Sequence, residues 1–180
     1  MELGLLLLRV VVGGLLIGHG TQKLYGWFGG YGLEGVGGWF HSIGFRPGKQ
    51  MAVLAGLGEA GGGLLLLLGL LTPLASLAIV GTLLVAASTH LPKVWSTENG
   101  AEFPFVLATV GAVFAFTGPG EYSLDNLLGL DLTSAGTGLL VVALGLISAV
   151  AVAGSARRRI ASDAPAYPDE ASTTAASERV

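Results

Sequence analysis

Residues 56–77 read GLGEAGGGLLLLLGLLTPLASL, an apolar run that contains one carboxylate, Glu59, and is broken by Thr72 and Pro73. Proline is tolerated in the first turn of an α-helix, where its missing N–H is no loss. We therefore predict two apolar helices joined by a tight turn at residues 71–73. A carboxylate with apolar neighbours for about four turns must be protonated or paired.

The rest of the chain is equally apolar. Of its 180 residues, 52% are hydrophobic and 12% are charged, and the mean hydropathy is +0.71. A helix needs roughly 20 residues to cross a hydrocarbon layer of about 30 Å. We predict an all-α membrane protein with five spans, the fourth of them short, at residues 3–25, 47–71, 73–90, 102–117 and 132–154.

Several local signals refine these boundaries. Pro47 suits the first turn of the second span, and Asp131 is the expected N-cap of the fifth. The connection after the first span is rich in aromatic residues and glycine, which suit the headgroup region, so it predicts an interfacial helix near residues 33–43. Residues 155–180 are small, polar and proline-bearing, and we expect a disordered cytoplasmic tail there.

The distribution of basic residues predicts the orientation. When alternate connections are assigned to opposite sides, eight Lys and Arg residues fall on one side and none on the other. We therefore expect a multi-pass protein of the bacterial plasma (inner) membrane, with the N-terminus outside and the C-terminus cytoplasmic. The eight residues are Lys23, Arg46, Lys49, Lys93, Arg157, Arg158, Arg159 and Arg179.

Composition excludes several functions. The chain has no cysteine, so it can form no disulfide and no Fe–S cluster of its own, and a redox role would need an external electron carrier. A net charge of −3 without a basic stripe argues against nucleic-acid binding. We find no catalytic triad, phosphate loop or HExxH pattern.

Few ionisable side chains lie at membrane depth, and each is a candidate ligand-binding or proton-handling residue. Counted along the helices at about 1.5 Å per residue, Glu59 lies near the midplane, with Arg9 above it and His19 and His90 below. We expect Arg9 or His19 to be its partner. The full candidate set is Arg9, His19, Gln22, Lys23, Glu59 and His90.

Structural alternatives remain open for most of these residues. Lys23 can extend to the lipid phosphates, His90 can cap its helix, and Glu59 can form a purely structural ion pair. His19 and His90 could ligate a haem, but two ligands alone are weak evidence, and a metal site that adds Glu59 is weaker still. We expect neither a metal nor a haem.

Three segments, HGTQKLYG (19–26), GEAGGGLLLLLGLLT (58–72) and GPGEYSLD (118–125), resemble the DoxX family of small membrane proteins. The resemblance covers residues 3–128 and implies a four-helix transmembrane bundle in residues 1–130, with residues 131–154 as an additional helix. It also implies a link to quinone reduction, oxidative stress and soluble redox partners. The family pattern falls on His19, Gln22, Lys23, Glu59 and Gly62, whereas Pro73 stands where relatives carry a basic residue.

The favoured function is an integral membrane component of a redox or oxidative-stress system that binds a quinone or similar small apolar ligand between the first three spans. Such a protein could be a non-catalytic or quinone-linked subunit of an oxidoreductase. One alternative is a small-molecule or proton transporter, which would need a homo-oligomer; Ser134, Ala135 and Gly138 offer a candidate dimer face. The other is a membrane scaffold for soluble cytoplasmic redox enzymes.

Overall fold

The computed structural model describes residues 1–163, of which 80% are helical and none lies in a strand. The predicted tail beyond Asp163 lies outside the described residues. Short 3-10 turns occur at Trp27–Gly29 and Ser96–Glu98. The α-helices are α1 (Glu2–Tyr25), α2 (Gly32–Ser42), α3 (Gly48–Leu68), α4 (Thr72–His90), α5 (Glu102–Thr117), α6 (Leu124–Leu127) and α7 (Ala135–Asp163).

Four of these helices, α1, α3, α4 and α7, are long and apolar enough to cross a membrane. Helix α5 has the bounds predicted for the short fourth span, and its 16 residues rise about 24 Å. The all-α fold and the additional C-terminal helix are confirmed, and the chain is a multi-pass membrane protein. Helix α2 lies close to its predicted position.

Glycines bring α1 and α3 into backbone contact. A Cβ placed on Gly20 would lie 2.5 Å from the backbone nitrogen of Ala60 and 2.6 Å from the carbonyl oxygen of Gly56. One heptad away, a Cβ on Gly13 would lie 2.6 Å from the carbonyl oxygen of Gly63. We call these four glycines, Gly13, Gly20, Gly56 and Gly63, the glycine seam. Such small-residue contacts are a usual basis of helix association in membranes.

Helix α4 occupies the middle of the bundle, where it packs against α3, α5 and α7. Its Ile79 is fully buried together with Leu16 of α1, Leu66 of α3 and Phe114 of α5. A second apolar cluster, built on Phe40, Phe45, Ala52 and Ala156, joins α2, α3 and α7 at the opposite end from the α3–α4 turn. The bundle therefore has an apolar centre and a separately packed aromatic end.

The turn between α3 and α4 is as tight as predicted, but α3 ends earlier than residue 71. Gly69 adopts the left-handed conformation with φ of 61° and stops the helix after Leu68. A glycine just past the last helical turn is a common stop signal because it has no Cβ to oppose positive φ. Pro47 is the N-cap of α3 with extended backbone, and not a first-turn residue.

The predicted limits of the last helix are also wrong at both ends. Helix α7 begins at Ala135, and the Ser134 hydroxyl accepts a hydrogen bond from the Thr137 N–H at 3.1 Å, so Ser134 takes the place expected for Asp131. At the other end the helix continues to Asp163, nine residues past the predicted limit of the span, and it includes the three consecutive arginines.

Part of the candidate dimer face on α7 packs against another helix of the same chain. Gly138 is buried, and a Cβ there would clash with the ring of Phe116 on α5. This glycine packs α7 onto α5 and is not available to a second copy. The basic ends of α1, α4 and α7 lie at one end of the bundle, and the side of the membrane that this end faces stays a prediction.

The glycine seam predicts a position-specific effect of adding one methyl group. Gly20→Ala should lower the free energy of unfolding by about 1–3 kcal/mol, because the added carbon overpacks a backbone contact. Gly18→Ala is the matched control, since nothing lies within 4 Å of a Cβ there. The control should be neutral or slightly stabilising, as expected from helix propensity. Denaturant unfolding in detergent measures both variants. If Gly20→Ala and Gly18→Ala change the free energy of unfolding equally, α1 and α3 are not in backbone contact at the glycine seam.

Candidate functional site

The buried carboxylate of Glu59 forms an ion pair with Lys23. The Lys23 Nζ donates to Glu59 Oε2 at 2.6 Å, and the two side chains are 23% and 3% exposed, respectively. Glu59 therefore has a partner on α1, but the expectation that this partner is Arg9 or His19 is wrong. Lys23 does not simply extend to the lipid phosphates.

The glycine seam explains why Lys23 reaches Glu59. Gly20 touches Ala60, the residue after Glu59, so the two backbones meet at this level. Helical side chains lean toward the N-terminus of their helix, which directs Lys23 back along α1 toward Gly20. The flexible four-carbon stem of lysine then covers the remaining distance. A bulkier residue at the seam would separate the two charges.

A cavity of about 650 Å³ opens on this ion pair. Its volume lies within the usual range of small-molecule sites, about 300–1,000 Å³. Lys23, Glu59 and His90 all line it, together with the hydroxyl residues Thr82, Thr89 and Ser148. The remaining lining residues are apolar or glycine: Trp39, Phe40, Phe45, Met51, Leu54, Ala55, Leu77, Ala78, Gly81, Val85, Ala86, Leu144 and Val152.

The cavity lies in a different place from the one expected. The prediction placed a ligand between the first three spans, which are α1, α3 and α4. The cavity is formed by α3, α4 and α7, with α2 at one end, and Lys23 is the one residue that α1 contributes. Helix α7, to which no site residue was assigned, supplies Leu144, Ser148 and Val152.

His90 presents a defined hydrogen-bonding group. Its Nδ1 lies 2.8 Å from the carbonyl oxygen of Asn99. A carbonyl can only accept, so Nδ1 carries the proton and Nε2 of the neutral ring is left as an acceptor. His90 is the last residue of α4 and also a lining residue of the cavity. The ring can therefore accept a proton from a group bound there.

His19 and Gln22 do not line this cavity. The ring of His19 packs against that of Phe103 on α5, with 5.5 Å between centroids. The Gln22 side-chain amide donates to the carbonyl oxygen of Phe28 at 3.3 Å and holds the connection after α1. Because the two histidines face different surroundings, the arrangement does not favour a haem held between them.

Arg9 belongs to the opposite end of the bundle. It is 1% exposed and donates to the carbonyl oxygen of Tyr122, in the connection between α5 and α7. Its Nε and Nη1 have no hydrogen-bond partner within residues 1–163. A Cβ at Gly69 would clash with this guanidinium, so the glycine that ends α3 also makes room for it. Arg9 thus fixes a connection and is remote from Glu59.

Asp125 is a buried polar residue that we did not predict. Its carboxylate accepts hydrogen bonds from the backbone N–H groups of Leu71 and Thr72, at 2.7 and 2.9 Å, and from the Thr72 hydroxyl at 2.6 Å. A carboxylate at the start of α4 is favoured by the helix dipole. No local sequence pattern predicts such a cap, because Asp125 lies more than 50 residues from the turn. In the sequence, Asp125 stands out only as the last residue of the segment GPGEYSLD.

No group of three His, Cys, Asp or Glu side chains that could hold a metal ion occurs within residues 1–163. The acidic and imidazole groups of the cavity, Glu59 and His90, are instead each engaged by one partner, Lys23 and Asn99. The site is therefore best described as a largely apolar cavity with a buried ion pair in its wall.

The Lys23–Glu59 pair predicts an unequal cost for removing its two members. Lys23→Met leaves the buried Glu59 carboxylate uncompensated and should lower the free energy of unfolding by about 3 kcal/mol. The double variant Lys23→Met with Glu59→Leu should recover most of this loss, since no buried charge remains. Denaturant unfolding in detergent provides the comparison.

The exposed pair between Lys49 and Glu34 supplies the control for this experiment. Lys49→Met should change the free energy of unfolding by less than about 1 kcal/mol, as is usual for surface ion pairs. If the double variant is no more stable than Lys23→Met, the two side chains are not energetically coupled.

Comparison with known proteins agrees with the resemblance seen in the sequence. The sequence model of the DoxX family matches residues 4–91, which run from α1 through the end of α4 and include Lys23, Glu59 and His90. No curated protein and no solved structure gave a match to the chain. The match confirms the resemblance inferred from the three segments, and it shows that residues 4–91 form a DoxX domain.

Proposed function

We propose that this protein is an integral membrane component of a redox or oxidative-stress system, and that its cavity binds a quinone or a similar small apolar ligand. The observation that carries the proposal is the ion pair of Lys23 and Glu59 in the wall of a largely apolar cavity. Sites for small molecules typically combine apolar walls with a few placed polar groups. The membrane-spanning fold supports a ligand drawn from the bilayer.

The polar groups suit a ligand whose oxygens change protonation. The ammonium of Lys23 has three donors, of which one is used by Glu59, so it can also donate to a carbonyl oxygen of the ligand. Oε1 of Glu59 and Nε2 of His90 can accept protons from a hydroxyl. A quinone presents carbonyls when oxidised and hydroxyls when reduced, and this set of donors and acceptors matches both forms.

The proposal assigns no ligand contact to the other three candidates. Arg9 is committed to the α5–α7 connection, Gln22 to the loop after α1, and His19 to the ring of Phe103. With no cysteine in the chain, we expect the electrons to be delivered by a partner, and a soluble redox enzyme at the cytoplasmic face is the partner class we propose. The proposed function does not require a homo-oligomer.

A transport path has less support. The polar groups form two separate sets, Arg9 with Asp125 at one end and Lys23 with Glu59 nearer the other. The fully buried side chains of Leu16, Leu66 and Ile79 fill the bundle centre. A path for protons or polar solutes would have to cross this apolar packing.

The proposal predicts that ligand retention depends on Glu59. After purification in nanodiscs that contain a quinone in its reduced, hydroxyl-bearing form, Glu59→Gln should bind it about 10- to 100-fold more weakly than the unchanged protein, because the hydroxyl loses its hydrogen bond to a charged carboxylate. Native mass spectrometry of the bound fraction measures the difference.

Glu34→Gln is the matched control, because Glu34 also pairs with a lysine but is 85% exposed. It should bind the quinone like the unchanged protein. No quinone bound to the unchanged protein, or equal retention by Glu59→Gln, would contradict the proposed function.

A further inference from the structure

The cavity is a cleft between two helices that do not close on each other. Helices α3 and α7 both pack on α4 but hardly touch one another. The α4 residues that form its floor run from Leu77 to His90, a length of about 20 Å. The α3 wall is formed by Met51, Leu54, Ala55 and Glu59, and the α7 wall by Leu144, Ser148 and Val152.

One end of the cleft is closed by aromatic side chains. Phe40 of α2 and Phe45 of the α2–α3 connection are buried, and they pack with Ala52 of α3 and Ala156 of α7. These side chains fill the space between α3 and α7 at the end of the bundle that carries the basic residues. Access along the bundle axis from that end is therefore obstructed.

The side of the cleft is open. Leu54 on the α3 rim is 62% exposed, and Leu144 on the α7 rim is 42% exposed. In a membrane-spanning bundle, exposed leucines in the middle of long apolar helices face hydrocarbon. The mouth of the cleft therefore opens toward lipid chains.

The charge of the cleft restricts what can occupy it. Its ionised wall groups are Lys23 and Glu59, which neutralise each other. The basic residues nearest in sequence to the α3 wall, Arg46 and Lys49, do not line the cleft. Among residues 1–163, the wall therefore has no net charge to compensate a phosphate or another charged head group. Burying an uncompensated charge is strongly unfavourable. An uncharged, oxygen-bearing head group fits this wall.

We propose that the cleft is loaded sideways from the bilayer and holds an amphiphile with an uncharged, oxygen-bearing head and one long apolar chain. The head lies against Lys23 and Glu59, and the chain leaves between α3 and α7 past Leu54 and Leu144. The inference rests on the proposed function in one respect, because it places the ligand in the same cavity. The lateral route and the required chain are additional.

The test compares two quinones with the same ring, one with a long prenyl chain and one with no chain, in nanodiscs of fixed lipid composition. Leu54→Trp narrows the mouth and should weaken binding of the long-chain quinone by at least about tenfold, since losing contact with about two methylene groups suffices. Binding of the short quinone should fall less than threefold. Leu144→Trp narrows the opposite rim and should act in the same way.

Leu57→Trp is the matched control, because Leu57 is 56% exposed on the same helix but does not line the cleft. It should leave both affinities unchanged. If both quinones bind in a Glu59-dependent manner but neither rim variant discriminates between them, the lateral route is wrong and the proposed function stands.

Two further outcomes would overturn the inference. If neither quinone binds the unchanged protein, the proposed function fails together with it. If native mass spectrometry finds a phospholipid that neither quinone displaces and that is lost in Leu54→Trp, the cleft is a phospholipid site, and the argument from its neutral wall is wrong.

Discussion

The ion pair between Lys23 and Glu59 is the interaction on which the arrangement of the first helices depends. A carboxylate buried to 2% exposure in a membrane bundle needs a partner, and lysine can supply it only if α1 and α3 lie at backbone contact. The glycine seam provides this contact at Gly20 and Gly56. Packing and charge therefore require each other: the seam brings the charges together, and the paired charges make the buried polar site tolerable.

The two ends of the bundle use buried polar groups differently. At the end that carries Arg9, the polar groups bind backbone: Arg9 holds the carbonyl of Tyr122, and Asp125 caps the first turn of α4. These contacts fasten the α5–α7 connection over the α3–α4 turn. Nearer the other end, Lys23 and Glu59 bind each other and face a cavity. The first set holds the backbone of the chain itself, although Arg9 Nε and Nη1 have no partner within residues 1–163. The second set presents donors and acceptors to the space of the cavity.

Much of the fold follows from the sequence, because hydropathy and helix length limit a membrane protein to few arrangements. The spans, the tight turn at Thr72 and the buried Glu59 could be predicted in this way. The partner of Glu59 could not, because depth along a helix does not fix its rotation, and the rotation is set by the glycine seam. The roles of Asp125 and of the α7 wall of the cavity could not be predicted either, because both depend on contacts between parts of the chain that are distant in sequence.

The central claim is that the Lys23 ammonium and the Glu59 carboxylate are in direct contact inside the bundle. A membrane-permeant carbodiimide converts such a contact into an amide bond without a spacer, and peptide mass spectrometry identifies the linked residues. At 2.6 Å between Nζ and Oε2, we expect a cross-link that joins Lys23 to Glu59 and disappears in Gly20→Val. Activation of Glu59 without a link to Lys23, or a link to another lysine, would contradict it.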